Sequence, residues 1–408
     1  MKKYPRLFLC VFLALLPSLS VWAMDTGLVL DQTVGFGGYG TDGKFDYSGM
    51  AIPRFSTLFG DNGSFFISAG FRADYSNYAD YTDHRYKNWL FMPELLRTEL
   101  NWRFGSGEIT AGRMQYSDPL GFIADGLFDG ARVSLDTTAG TFSVGAWYTG
   151  LLYKARANIT MTDDELKSSN VKPDYAHLPN TYFAPRRIIS ALSWEHPGLG
   201  QLVRVNFDLL GQFDVSGGDY PLHTQYAVAK VVLPYNAFVF DLGGSFELKE
   251  VSGDLGIGLA GELGAAWTLP TSFESQLSFL GRFSSGVVGN SSMEAFLPVT
   301  TVEQGNILQA KLSGLSVLSL NYTARLMEAL SAGISSSYFV RSDKATYSGY
   351  GNDGYFLGNE FFAGFLWNPL SEIQVNLGGG VFLPSMGNAA PDGANRWRIE
   401  LNVILSLY

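Results

Sequence analysis

With 408 residues, 16% of them charged, 14% aromatic, 47 glycines and a net charge of −10, the chain has too few charges for an ordinary soluble surface. Its acidic balance argues against nucleic-acid partners, which need their phosphates neutralised by Lys and Arg. Cys10 is the only cysteine and falls near the start, so residues 24–408 can form neither a disulfide nor a thiolate metal site.

Residues 1–23 read as a secretory signal peptide. Lys2, Lys3 and Arg6 precede an apolar stretch from Leu7 to Leu16, Pro17 follows, and Val21-Trp22-Ala23 offers cleavage after Ala23. The stretch is short for a spanning anchor. Cys10 lies inside it, not at the cleavage site, which speaks against lipid attachment. Beyond it, no apolar run approaches the roughly 18 residues that a helical span requires. Residues 24–408 are therefore expected to cross a membrane with strands, as one domain.

Strands of a transmembrane barrel alternate apolar and polar residues over about ten positions. In the fourth such segment, Leu96, Thr98, Leu100, Trp102 and Phe104 oppose Arg97, Glu99, Asn101 and Arg103. Successive strand side chains point to opposite faces, so one set is assigned to lipid and the other to water. Further along, Val203, Val205, Phe207 and Leu209 oppose Arg204, Asn206 and Asp208. Phe238, Phe240, Leu242, Phe246 and Leu248 oppose Asp241, Ser245, Glu247 and Lys249. Leu277, Phe279 and Phe283 oppose Gln276, Ser278 and Arg282, and Ile373, Val375 and Leu377 oppose Gln374 and Asn376. The last strand sets Trp397, Ile399, Leu401, Val403 and Leu405 against Arg398, Glu400 and Asn402. Residues 222–233 fit least well, because Lys230 falls on the apolar parity.

The connections carry a second signal. Every other link is a tight turn built of the residues that turns require: 60–63, 105–107, 138–140, His196-Pro197-Gly198, Pro234-Tyr235-Asn236, Pro270-Thr271-Ser272, Glu328-Ala329 and Asn368-Pro369-Leu370. The links between them, at 76–90, 118–128, 152–185, 286–311, 342–358 and 384–395, are longer and more polar. Short periplasmic turns and long external loops are the rule for outer-membrane barrels. The expected fold is all-β: a transmembrane antiparallel barrel of about 18 strands with both termini periplasmic, about 16 being the alternative if one ambiguous pair is a folded loop.

Trp102, Trp194, Trp267 and Trp367 lie near expected periplasmic turns, and Tyr75, Tyr116 and Tyr148 near outer ends, as interfacial girdles would require. Tyr408 ends the chain with an aromatic, but one residue out of phase with the apolar parity of Val403, Leu405 and Leu407.

Function in such a barrel lies in lumen and loops. The inner parity of strands four to six is expected to carry Arg97, Arg103, Arg113 and Arg132, with Arg72 and Arg187 nearby and Glu99 among the acidic partners. Two readings stand side by side: a basic stripe that draws anions, or arginines paired with carboxylates that stiffen the wall. The link 118–128 is more apolar than its neighbours and is expected either to fold inward and narrow the pore or to cap the mouth as a hairpin. Ile109–Tyr116, with its Gly112-Arg113-Met114-Gln115, followed by Phe128-Asp129-Gly130-Ala131-Arg132, resembles alginate-export-type outer-membrane porins, although Met114 interrupts the order. That resemblance covers about 25 residues and implies an 18-stranded barrel with Arg113 and Arg132 in a path for acidic sugars.

Enzymatic chemistry has little to stand on. His84, His177, His196 and His223 have no nucleophile motif near them, and the Asp-Gly pairs at 125–126, 129–130 and 353–354 are ordinary turn chemistry before they are calcium sites. No catalytic residue, metal or cofactor is expected. The expected role is an outer-membrane channel for small hydrophilic solutes, acidic sugars among them, reached through the periplasm after signal-peptide cleavage. Its partners would be membrane lipids and the barrel-assembly machinery, with no nucleic acid. The alternative is an adhesin or receptor acting through loop 152–185.

Overall fold

The computed structural model describes residues 24–77, 88–162, 165, 173–200, 202–217, 221–251, 253–288, 292–344, 347, 351 and 354–408. The expected signal peptide, His84 and part of loop 152–185 lie outside the described residues. Eighteen strands form one closed antiparallel sheet. In chain order they are β1 (Met24–Tyr39), β2 (Asp42–Phe59), β3 (Gly63–Ser76), β4 (Asn88–Phe104), β5 (Gly107–Ser117), β6 (Asp125–Thr137), β7 (Gly140–Tyr148), β8 (Arg187–Leu199) and β9 (Val203–Asp214). There follow β10 (Leu222–Tyr235), β11 (Phe238–Val251), β12 (Asp254–Thr268), β13 (Gln276–Ser284), β16 (Leu315–Met327), β17 (Leu330–Arg341), β18 (Phe356–Leu370), β19 (Ile373–Leu383) and β20 (Arg396–Leu407). The short β14 (Glu303–Gln304) and β15 (Ala310–Lys311) form a separate hairpin between β13 and β16.

Each barrel strand pairs with its neighbour, and β1 closes the ring against β20, from Leu28↔Leu407 to Tyr39↔Arg396. Closure leaves neither the first nor the last strand as a sheet edge, which is what a lipid surroundings demands of backbone N–H and C=O groups. The alternation holds where the sequence was clearest: on β11, Phe238, Phe240, Leu242, Phe246 and Leu248 are exposed on the outer face while Glu247 is fully buried inside. Stacked aromatic pairs, Phe59–Trp102 at 5.9 Å and Phe238–Trp267 at 5.7 Å, mark the end of short turns. Both termini lie at that end, because the strand count is even.

Several turns differ from expectation. His196-Pro197-Gly198 belongs to β8, where the register with β9 shifts, and the turn comes after Leu199. Pro234 and Tyr235 remain in β10, and Pro369 remains in β18, again at a register shift. Proline tolerated at bulges made these stretches look like turns. β10 is regular as well: Tyr226, Val228 and Lys230 face inward, and the inner face is apolar because a loop packs against it.

β4 carries the most consequential irregularity. Ser68 pairs with Arg97 and Ala69 with Leu95, so Leu96 is an extra, bulged residue. The bulge exchanges the two faces of the strand. Leu96, expected on the lipid side, is 5% exposed and turned inward, whereas Leu95 is 43% exposed. The β4–β5 ladder also stops at Thr98↔Arg113, so residues 88–97 of β4 pair only with β3.

Tyr408, just beyond β20 and 77% exposed, has the Arg54 guanidinium 4.5 Å from its ring centroid.

Candidate functional site

The lumen is shaped by three loops that turn inward. In the first, between β5 and β6, the Asp118 carboxylate accepts backbone hydrogen bonds from Leu120 (2.8 Å), Gly121 (3.1 Å), Ile123 (2.8 Å) and Ala124 (2.8 Å). Burial pushes the Asp118 carboxyl above the ordinary range, and those amides work against the shift. The resulting knob buries Leu120, Phe122, Ile123 and Ala124 against inward-facing Met114, Tyr116, Trp147, Ile189, Leu210, Tyr226 and Val228. Apolar residues on the inner face of β5–β10 thus have a partner, and the inward reading of this loop, not the hairpin cap, is what the fold contains. Leu120 reaches β11 so closely that a Cβ on Gly243 would lie 2.2 Å from its Cδ2. The Phe122 ring sits 5.2 Å from the Arg282 guanidinium.

The long β13–β16 connection joins the same cluster through Phe296, Val299 and Leu312. It is held at both ends by carboxylates from the wall. Glu247 of β11 accepts from the Leu297 N–H at 2.9 Å. Glu360 of β18 accepts from Asn306 (2.7 Å), Ile307 (3.0 Å) and Leu308 (2.9 Å). The chain therefore crosses the lumen from one wall to the other. Thr300 N–H donates to Ile123 O at 3.0 Å, and Thr160 N–H to Val299 O at 2.9 Å, which ties in the third loop, between β7 and β8.

What remains open lies on the opposite side. A cavity of about 620 Å³ is bounded by Glu303 and Asn306 of the crossing loop and by Asn376, Arg398, Glu400 and Asn402 of the wall. A second, of about 250 Å³, shares Glu303, Arg398 and Glu400 and adds Asp46, Arg72 and Asp74. Glu303, Arg398 and Glu400 thus stand at the border of both cavities. Arg398 is held there by both oxygens of Asp46 at 2.9 Å and by Glu400 at 2.8 Å. Small wall residues keep the larger cavity wide, for Gly364 and Gly378 face each other across β18 and β19.

The arginines expected to form one stripe are dispersed. Arg72 lines the smaller cavity and pairs with Asp74 at 2.6 Å. Arg97 and Glu99 face inward and pair at 2.6 Å, with Arg97 also over the Phe66 ring at 5.3 Å. Arg103, 76% exposed beside the turn, pairs with Glu108 at 3.1 Å. Arg132 is exposed on the inner parity, level with Thr110 and Gly145, and shows no ion pair among the described residues. Two placements are corrections. Arg113 shares the outer parity with Ile109 and Ala111, as the regular register with Trp102, Leu100 and Thr98 of β4 dictates; Gly112 beside it has a φ of +119°. Its guanidinium binds Asp129 at 2.7 Å and the Leu95 and Leu151 carbonyls, bordering the seam where β4 leaves β5. Arg187 is fully buried and binds Glu165 (2.6 Å) and Thr160 O (2.6 Å), so it anchors the third loop instead of meeting solute. Asp118, Glu360 and Arg398 were not singled out from sequence; inner-parity charge was visible at Arg398, but the partners of Glu360 stand more than fifty positions away.

A closed barrel of eighteen strands, with loops folded into its lumen and a polar path beside them, is the fold of outer-membrane channels. No protein-family model and no curated protein matches the chain. Among solved structures, OccK2 (OpdF) of Pseudomonas aeruginosa in complex with glucuronate is similar, with a TM-score of 0.60 at 11% identity over 94% of this chain and 98% of that one. OpdK of the same organism with vanillate gives a TM-score of 0.59 at 9% identity over 94% and 99% of the two chains. OccAB1 of Acinetobacter baumannii gives 0.58 at 10% identity over 94% and 97%.

Proposed function

We propose that this chain is an outer-membrane channel for passive diffusion of small hydrophilic solutes, carboxylate-bearing ones included. The observation that carries this reading is the pair of cavities that share the charged residues Glu303, Arg398 and Glu400, beside loops folded into the lumen. Glucuronate and vanillate, present in two similar structures, are both small carboxylates. The acidic-sugar path implied by the alginate-export resemblance fits the same class. Anion preference would be mild, since Arg72, Arg97, Arg113, Arg187 and Arg398 each have a carboxylate partner. Residues 1–23 would direct export, and barrel-assembly machinery and lipid would be the partners of insertion. The described part of loop 152–185 is spent on the barrel wall, through Tyr175 and Tyr182, which favours a channel over an adhesin arm.

The test is conductance in a planar bilayer, with the reversal potential measured in a salt gradient. Stepwise conductance is expected, and its absence would sink the proposal. Arg132→Ala removes a lumen cation that has no ion-pair partner among the described residues, so the reversal potential should move toward cation preference. An unchanged potential would remove Arg132 from the selectivity path.

A further inference from the structure

We propose that the seam between β4 and β5 is a lateral binding slot for one amphiphile with an ammonium- and phosphate-bearing head, distinct from the channel path. Above Thr98↔Arg113 the two strands part, and residues 88–97 of β4 lose their neighbour on that side. In a bilayer such an edge must find other partners. It finds side chains: the Tyr175 hydroxyl donates to Phe91 O, the Tyr182 hydroxyl to Pro93 O at 2.9 Å, and Arg113 to Leu95 O. Pro93 itself has no N–H to offer, which suits a strand edge.

The seam is not filled. A cavity of about 380 Å³ lies in it, lined by inward-parity Glu94 and Leu96, by outward-parity Gln115 and Leu127, and by Arg113 and Arg156. A cavity lined from both faces of a barrel passes through its wall. On its outer side Leu95 is 43% exposed and Leu127 shares the outward parity. Its inner end is polar. An acyl chain fits the first and a charged head the second.

Glu94 points to the nature of that head. Its side chain is 1% exposed, yet Oε1 accepts no hydrogen bond. The nearest cations, Arg72 and Arg156, stand at 3.9 and 3.7 Å, beyond hydrogen-bond reach. A buried carboxylate oxygen without a donor is costly, and a primary ammonium supplies donors for it. Arg156 is 44% exposed and, among the described residues, is engaged only at 3.7 Å by Glu94 and at 3.8 Å by the Met50 sulfur, which leaves guanidinium N–H groups to meet a phosphate. The two groups side by side select a zwitterionic head with N–H donors over one whose nitrogen is quaternary.

The test uses the chain from residue 24, reconstituted in nanodiscs of equal parts phosphatidylethanolamine and phosphatidylcholine. After transfer to neutral detergent, native mass spectrometry counts the lipid retained per barrel. One phosphatidylethanolamine is expected, favoured about tenfold over phosphatidylcholine, the effect of one charge-assisted hydrogen bond. Glu94→Gln should bring the ratio near parity. Arg156→Gln should reduce retention of both lipids and leave their ratio unchanged. Equal retention by the wild-type chain, retention of neither lipid, or an unaltered ratio in Glu94→Gln would overturn the assignment. If Glu94→Gln does not give the heat-modifiable band of a folded barrel, the Arg156→Gln result decides: unaltered retention refutes the slot. Conductance is measured separately, so failure here leaves the channel reading standing.

Discussion

Asp118→Ala should produce a wider channel in a barrel that still folds. The carboxylate of Asp118 is the acceptor for the N–H groups of Leu120, Gly121, Ile123 and Ala124; alanine leaves those of Leu120, Ile123 and Ala124 without a partner, and Gly121 keeps only the backbone carbonyl of residue 118 at 3.0 Å. Hydrogen bonds to a charged acceptor contribute about 1.5–3 kcal/mol each, and non-additive loss of the set would cost the loop on the order of 3–5 kcal/mol of attachment. The knob of Leu120, Phe122 and Ile123 then has no fixed shape, and the crossing loop loses its contact from Thr300 to Ile123. The strand ladders do not pass through Asp118, so closure at β1–β20 is untouched. Single-channel conductance should rise severalfold, with noisy open states, while the heat-dependent gel shift persists. Asp118→Asn keeps one acceptor oxygen and should fall between. Wild-type conductance in Asp118→Ala would show that this loop does not limit the path.

Arg398→Ala is the second large effect, on selectivity rather than width. Arg398 neutralises Asp46 and Glu400 at the border of both cavities, with Glu303. Its removal uncovers both carboxylates there, and a low-dielectric wall amplifies the field of an uncompensated charge. The reversal potential should swing firmly toward cations, and the swing should shrink as ionic strength rises. Arg398→Lys keeps the charge but loses the two-pronged grip on Asp46, so a partial shift is expected. If Arg398→Ala leaves the reversal potential where it was, the selecting charges lie elsewhere.

The barrel was legible because its two signals are local. Alternation along β11 or β20 needs only neighbours in the chain, and tight turns need only the Gly, Asn and Asp residues that occupy them. What misled was also local. Pro197 and Pro369 look like turn residues, yet sit at register shifts within β8 and β18. Leu96 continues an apolar parity in the sequence, but its bulge is set by the pairing of Ser68 and Ala69 on another strand. The side of Arg113 is set, with that of Ile109 and Ala111, by the register of β5 on β4. The site was legible only in part. Inner-face charge could be assigned by parity, and the apolar 118–128 link hinted at burial. No spacing rule foretells that Glu360 will hold residues 306–308, or that Asp46 will meet Arg398 across the closure. Those contacts exist only once the ring is complete.

The ring is completed by the first strand pairing with the last, Leu28 opposite Leu407. A folding chain therefore exposes two raw sheet edges until its final residues arrive, and no shorter piece escapes them. Contacts of such long sequence separation form slowly, and an unpaired edge is a template for aggregation. Loss of β20 alone would leave β1 and β19 both open, and with them Asp46 without its arginine. The geometry thus makes closure all-or-none: both edges are covered only when the last strand pairs with the first.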